Sequence, residues 1–407
     1  MSLTGMRGVA SVIVFLCHII ILAEDLPYDV DVLTIFEDPE VRDTYRTVFG
    51  FVGYMCVSFF FVTSGFILTW ASRPKDTVAR FWRRRFFKIF PLHLVTYGIG
   101  LVVLTGAMTS AKDLPAVFLI QNWVPDVRVI FSANGPSWSI SAEVFFYFMF
   151  PLLLPLVMKV RESHLYAWLV GLVATVFAVA TFGHLAISPA DQVWFNYVFP
   201  PVRILEFVAG IFVARLVLSG RWLRFGFGPA ALLLLASCVL ATQLPEVYAF
   251  AAVTFIPVIL IVGAAIEADI HGRRTLLRGR AIVWLGDVSF AFYLVHLSVL
   301  LGVRKLIGDD ESWGIGGALL FMVVTYAAAL LCAWLLHIGV EKPVMRRWSS
   351  PRRKPDDGTA PAARAEASAA GAERPMAPAK PALTGAAPGP AARPGVRRCG
   401  GSAGRDR

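Results

Sequence analysis

The sequence predicts an all-α fold, a polytopic transmembrane helix bundle of about ten spans with both termini cytoplasmic and a disordered C-terminal tail. Three observations carry that expectation. Of 407 residues, 57% are hydrophobic and only 16% are charged, whereas an ordinary soluble domain carries about a quarter charged residues. Apolar runs of the roughly 20 residues needed to cross a bilayer recur through Leu336. The loops between them alternate in basic content, the pattern by which Lys and Arg orient membrane proteins.

The first span, approximately 6–23, opens with MRGVASVIVFLCHII, Met6 to Ile20. No A-x-A-like cleavage site precedes the acidic loop that follows, so the run reads as a retained helix, with a cleaved signal peptide as the alternative. Arg7 and His18 are three helical turns apart, on one face and about 16 Å along the axis. A buried ionisable group in a spanning helix is costly and is by default a candidate for function.

The remaining spans are expected at approximately 50–70, 89–109, 138–158, 165–183, 195–214, 227–243, 248–266, 284–303 and 315–338. The loop Glu24 to Phe49 holds eight acids against Arg42 and Arg46. The next, Ala71 to Lys88, holds Arg73, Lys75, Arg80, Arg83, Arg84, Arg85 and Lys88 against Asp76. That contrast places the first loop outside and the second inside. An even number of spans then returns the C-terminus to the cytoplasm, where the basic run Arg346 to Lys354 agrees. Residues 1–348 form the membrane domain, and the Ala, Pro, Gly and Arg-rich segment 349–407 cannot bury a core.

The net charge of +10 lies largely in short loops and the tail, which membrane orientation explains without a nucleic-acid partner. Cys17, Cys56, Cys238 and Cys332 lie in apolar segments and Cys399 in the tail, none in a C-x-x-C pair, so neither a disulfide framework nor a metal site is implied. No internal repeat supports an inverted-repeat transporter.

Polar residues inside the apolar runs are the candidates for chemistry. Ser58 to Leu68, with Ser64 and Gly65, reads by itself as close helix packing. Phe81 to His93 is a topogenic anchor or, because guanidinium forks bind oxygens in pairs, a phosphate site. Ser139 and Glu143 share a helix face behind Trp138, and the depth expected for Glu143 allows an imidazole-carboxylate contact with His18. Arg203 and Glu206 read first as a structural ion pair. Tyr293 and His296 lie in span nine, His296 near the depth of His18. Two intramembrane histidines with an acid and several Arg point to a polar cavity.

Taken together, these segments resemble the acyltransferase-3 family of integral-membrane O-acyltransferases. The likeness covers residues 3–348: Leu3 to Gly8 with His18 after ten intervening residues from Arg7, Phe59 to Leu68, Arg84 to Pro91, Trp138 to Tyr147, Arg203 to Gly210, Ser289 to His296, and Glu341-Lys342-Pro343. Residues 57–70 and 81–91 are most similar to antibiotic-tailoring members such as macrolide acyltransferases. The resemblance implies acyl transfer, expected to be acetyl, from cytoplasmic acyl-CoA to a hydroxyl of a sugar-containing or macrolide-like acceptor. It implies essential roles for Arg7 and His18, a basic motif at Arg84 and Arg85, and an acidic site at Glu143. Lys88 departs from the pattern, where Arg is commoner, and no SGNH esterase-like domain follows.

The expected mechanism sets Arg7, Arg83, Arg84, Arg85 and Lys88 on the phosphates of acyl-CoA as donor substrate, with no permanently bound cofactor. His18 serves as general base on the acceptor hydroxyl, with Glu143 orienting the imidazole or stabilising its charge. Ser64, Trp138, Ser139, Arg203, Glu206, Tyr293 and His296 are substrate or second-site candidates. The expected location is the plasma or inner membrane. Two other readings stay open, a secondary transporter whose pathway uses the same His, Glu and Arg residues, and a sensor or scaffold acting through its tail.

Overall fold

Each of the ten expected apolar runs forms a helix in the computed structural model, which describes residues 2–20, 33–73, 76–105, 113–223, 225–273, 275–308 and 311–349. In chain order these are α1 (Ser2–His18), α2 (Val52–Trp70), α3 (Val78–Gly100), α4 (Ser137–Lys159), α5 (Leu165–Ala186), α6 (Pro200–Leu218), α7 (Phe227–Ala241), α8 (Ala252–Ile270), α9 (Arg280–Ile307) and α10 (Ile315–Leu336). The expected tail beyond residue 349, the acids at 24–31 and the expected ends of spans one and three lie outside the described residues. Among the described residues there is no strand, only an isolated bridge between Phe36 and Trp313.

Among the described residues, seven helical segments are long and apolar enough to cross a membrane. The other three depart from that standard for separate reasons. Helices α1 and α7 have 17 and 15 residues, about 26 and 23 Å of rise against a hydrocarbon core of about 30 Å. Helix α6 carries Arg203, Glu206 and Arg215, and the first two are buried inside the bundle. The chain is therefore a multi-pass membrane protein.

The outer surface fits lipid. Helix α5 exposes Trp168, Val170, Phe182 and Leu185, and α10 exposes Leu320 and Val323. Apolar rows of that extent on a soluble monomer would be an aggregation hazard, but hydrocarbon solvates them. Helix α8 lies deepest among the spans and α5 and α10 are the most peripheral.

Small residues set the spacing at the centre. Helix α2 packs on α6, where a Cβ on Gly65 would lie 2.0 Å from the Phe207 carbonyl oxygen and one on Gly210 2.0 Å from that of Val62. Helix α1 packs on α9 in the same way. A Cβ on Gly286 would lie 1.9 Å from the Thr4 oxygen, and one on Gly8 would lie 2.8 Å from the Gly286 nitrogen. Only glycine permits such close backbone approach between membrane helices. The second seam holds α1 against α9. At the far end of α1 the helix Pro39–Phe49 folds over it, and Tyr45 Oη donates to the Leu16 carbonyl at 2.9 Å. Arg304, fully buried, donates to the Glu311 carbonyl and to Thr34 Oγ1, tying the adjacent loops together.

Candidate functional site

Two cavities lie end to end beside α1. The first, with about 890 Å³ of empty space, is walled by α1, α2, α3, α4 and α9 and includes Arg7, Arg85, Lys88 and Glu143. The second, about 1010 Å³, includes His18, Cys17, Tyr54, Trp138 and Tyr197. Val57 and Tyr293 line both, so they form the shared wall. The helical period that puts Arg7 and His18 on one face of α1 thus delivers them to successive chambers.

In the basic chamber, Arg85 and Lys88 share a face of α3 at i and i+3. The Arg85 guanidinium lies 5.7 Å from the centres of both the Phe81 and Tyr147 rings, and its Nε is buried without a hydrogen-bond partner. Arg7 makes no hydrogen bond or ion pair with a described residue. Lys88 is paired with Glu341, whose other oxygen accepts from His337 Nδ1 at 2.9 Å. Lys88 also lies 5.0 Å from the Phe290 ring centre. Glu143 accepts from Tyr147 Oη at 2.8 Å, and that hydroxyl lies 3.2 Å from Ser64 Oγ. Three cations against one carboxylate make the lining positive.

The neighbouring arginines point elsewhere. Arg83 donates to the Trp348 carbonyl from Nε at 3.0 Å and from Nη2 at 2.9 Å. Arg84 is paired with Asp76. The hydrogen bond from the Arg84 guanidinium holds the Asp76 carboxyl below the usual carboxylate range. Neither Arg83 nor Arg84 lines the basic chamber, so the expected five-cation cluster reduces there to Arg7, Arg85 and Lys88.

In the second chamber, His18 Nδ1 lies 2.8 Å from the Val14 carbonyl oxygen and 3.0 Å from His296 Nε2. His296 Nδ1 lies 3.0 Å from the Phe292 carbonyl oxygen. The two rings meet edge to face at 4.7 Å between centres. His296 is fully buried, while His18 is only partly so. At the shared wall, Ser139 Oγ is 2.8 Å from Tyr293 Oη. Phe131, Tyr54, Trp138 and Tyr197 give this chamber aromatic walls.

The contact that the sequence allowed between His18 and Glu143 does not form. Glu143 lines the chamber of Arg7, and the ring hydrogen-bonded to His18 is that of His296. Arg203 and Glu206 line neither chamber. Their ion pair, 3.0 Å from Nε to Oε2, is buried, and the guanidinium packs over Phe61 at 5.4 Å and Tyr197 at 5.3 Å. It braces the aromatic wall from behind. The sequence reading assigned no individual role to Tyr147, Tyr54, Val57 or Glu341. Tyr147 stands one turn beyond Glu143, a spacing that offered a signal; Tyr54 and Val57 carried none apart from their place in an apolar run.

An acyltransferase domain family matches residues 2–338. Acyltransferase MdmB of Streptomyces mycarofaciens is 38% identical over 374 residues, which cover 87% of this chain and 93% of that relative. No solved structure matches.

Proposed function

The chain belongs to the acyltransferase-3 family and is an acyltransferase, and from that premise we propose that it transfers an acyl group, acetyl in the simplest case, from acyl-CoA to a hydroxyl of a glycosylated or macrolide-like acceptor. The observation that carries this reading is the pair of chambers that share a wall at Val57 and Tyr293, one cationic and the other bearing a partly exposed imidazole. Arg7 and Arg85 hold the donor's phosphates, since neither guanidinium has an ion-pair partner among the described residues and charge-assisted contacts to phosphate are strong. The extended pantetheine arm spans the roughly 16 Å between Arg7 and His18 and brings the thioester to the shared wall. The acceptor occupies the aromatic chamber, whose rings suit the apolar faces of a sugar or macrolide.

His18 takes the proton of the acceptor hydroxyl as its oxygen attacks the thioester carbonyl. The tetrahedral adduct collapses, the carbon–sulfur bond breaks, and the imidazolium returns the proton to the departing thiolate, giving ester and free CoA. Effective proton transfer favours a base whose pKa lies near the working pH, a range open to imidazole. Glu143, in the basic chamber, balances Arg7 and Arg85 and does not orient the base. With the charge bias of the loops, Arg7 faces the cytoplasm, where acyl-CoA is made.

The His18→Ala protein should insert normally and lose transfer from acetyl-CoA. Retained turnover at wild-type abundance sinks the assignment. Mass spectrometry of metabolites from deletion and complemented strains, searching for an acyl-sized mass difference, identifies acyl chain and acceptor together. A topology reporter fused after Ser350 should be active only on the cytoplasmic side, and periplasmic activity alone would reverse the orientation.

A further inference from the structure

Hydrogen-bond accounting along the two histidines assigns a role to a residue that lines neither chamber. The Val14 and Phe292 carbonyl oxygens only accept, so each ring nitrogen held at 2.8 or 3.0 Å from one of them must present an N–H. With its proton on Nδ1, a neutral His296 leaves Nε2 bare. Facing that lone pair at 3.0 Å is His18 Nδ1, and one proton there serves both His296 Nε2 and the Val14 oxygen. His18 Nε2 is then the bare nitrogen.

The three alternatives fail by count. Protons on both Nε2 atoms set ring lone pairs against both carbonyls. A proton on His296 Nδ1 with one on His18 Nε2 sets lone pair against lone pair at 3.0 Å, and the remaining arrangement sets proton against proton. A buried polar group without its partner costs more than the average hydrogen bond contributes, so one tautomer of the pair is selected.

Resting on the reading of His18 as base, we propose that His296 is a positioning residue. It fixes the His18 ring in the Nδ1–H tautomer and keeps Nε2 as the basic atom. When Nε2 takes the acceptor's proton, the new charge is shared with an Nδ1–H already held by two acceptors, and His296 stays neutral because a second cation at 3.0 Å would be repelled. The close α1–α9 seam at Gly8 and Gly286 maintains the register of the relay.

The test uses full-length protein in lipid nanodiscs, labelled with 13C and 15N at histidine, with His18→Ala assigning the His18 signals. The imidazole carbon and nitrogen shifts distinguish the two neutral tautomers without any turnover. Wild type should show His18 as Nδ1–H. With acetyl-CoA and a glycosylated macrolide as probes, His296→Leu should lower kcat about 10- to 100-fold with donor KM unchanged, the loss expected for one hydrogen bond to a developing charge. His296→Gln, whose Oε1 can stand where Nε2 accepts, should regain most of that loss and keep the wild-type tautomer. An Nε2–H signal for His18 in wild type overturns the relay. So does equal loss in the Leu and Gln variants, or a Leu variant within twofold of wild type. Turnover by His18→Ala would instead overturn the proposed function, and the spectra would still decide the tautomer.

Discussion

Two adjacent arginines on α3 should behave very differently when removed. Arg85→Leu takes away a guanidinium that faces the basic chamber and has no ion-pair partner among the described residues. Hydrogen bonds to charged groups contribute about 1.5–3 kcal/mol, and every 1.4 kcal/mol is about tenfold in affinity. The donor KM for acetyl-CoA should therefore rise about 10- to 100-fold, with kcat unchanged at saturation. Arg84→Leu removes a group already committed to Asp76, and the pair is partly exposed, at 33% and 18% of the two side chains. Exposed pairs contribute about 0–1 kcal/mol, so thermal stability should fall slightly and donor KM should change less than about threefold. Since Arg84 depresses the Asp76 pKa, the pair's contribution is present above the ordinary carboxylate range and is lost as pH falls through the depressed value. The rate near neutrality should not depend on it. Initial rates against acetyl-CoA at saturating acceptor, with melting curves on the same samples, decide the matter. If Arg84→Leu raises donor KM as much as Arg85→Leu does, the placement of the phosphates is wrong.

Gly286→Ala should separate α1 from α9, because the added methyl has no room beside the Thr4 carbonyl; a loss of about 1–3 kcal/mol, typical of overpacking, should appear as a lower Tm together with lost transfer. Gly98→Ala, with nothing within 4 Å of its added Cβ, should leave Tm unchanged or raise it, by about 0.5–1 kcal/mol in helix stability. Val57→Trp fills the junction of the chambers, so calorimetric binding of CoA should stay within about threefold while kcat falls at least tenfold, if the arm must pass that wall. Glu341→Gln releases Lys88 from its buried partner; donor KM should drop severalfold while Tm decreases, since breaking a partly buried pair leaves a charge uncompensated. An increase in donor KM would mean that Lys88 is a structural cation and takes no part in donor binding.

Helix positions were legible because a spanning helix needs an apolar run of near-fixed length, and α2, α4 and α10 begin and end within a few residues of expectation. The shared face of Arg7 and His18 followed from the helical period alone. The same period limits Arg83, Arg84 and Arg85. Consecutive residues turn by about 100°, so three in a row spread around α3 and cannot all face one chamber. The partners that decide which one does, Asp76, Trp348 and Tyr147, come from other segments. Glu341 lies 253 residues from Lys88, and no local rule connects them. Depth was the weakest inference. Counting turns inward from a loop put Glu143 level with His18, but Trp138 at the start of α4 already lines His18's chamber and Glu143, five residues further in, lines that of Arg7; where a helix crosses its neighbours is set by packing that periodicity does not encode.

The exchange of Glu143 for His296 as the neighbour of His18 alters the expected chemistry. A carboxylate beside the ring would stabilise the imidazolium strongly and make His18 a persistent base. A neutral imidazole offers a dipole and a lone pair, so it orients the ring and stabilises the charge less. On the proposed reading, His18 meets the substrate hydroxyl in a chamber walled by aromatic rings. Proton transfer is tied to carbon–oxygen bond formation, and the leaving thiolate is the natural destination of the same proton. Glu143 stands among the cations of the other chamber, which on the proposed reading keeps an anion away from the attacking oxygen and balances the guanidiniums that meet the donor's phosphates. On that same reading, the division of charge between the two chambers separates donor capture from proton transfer along a single helix.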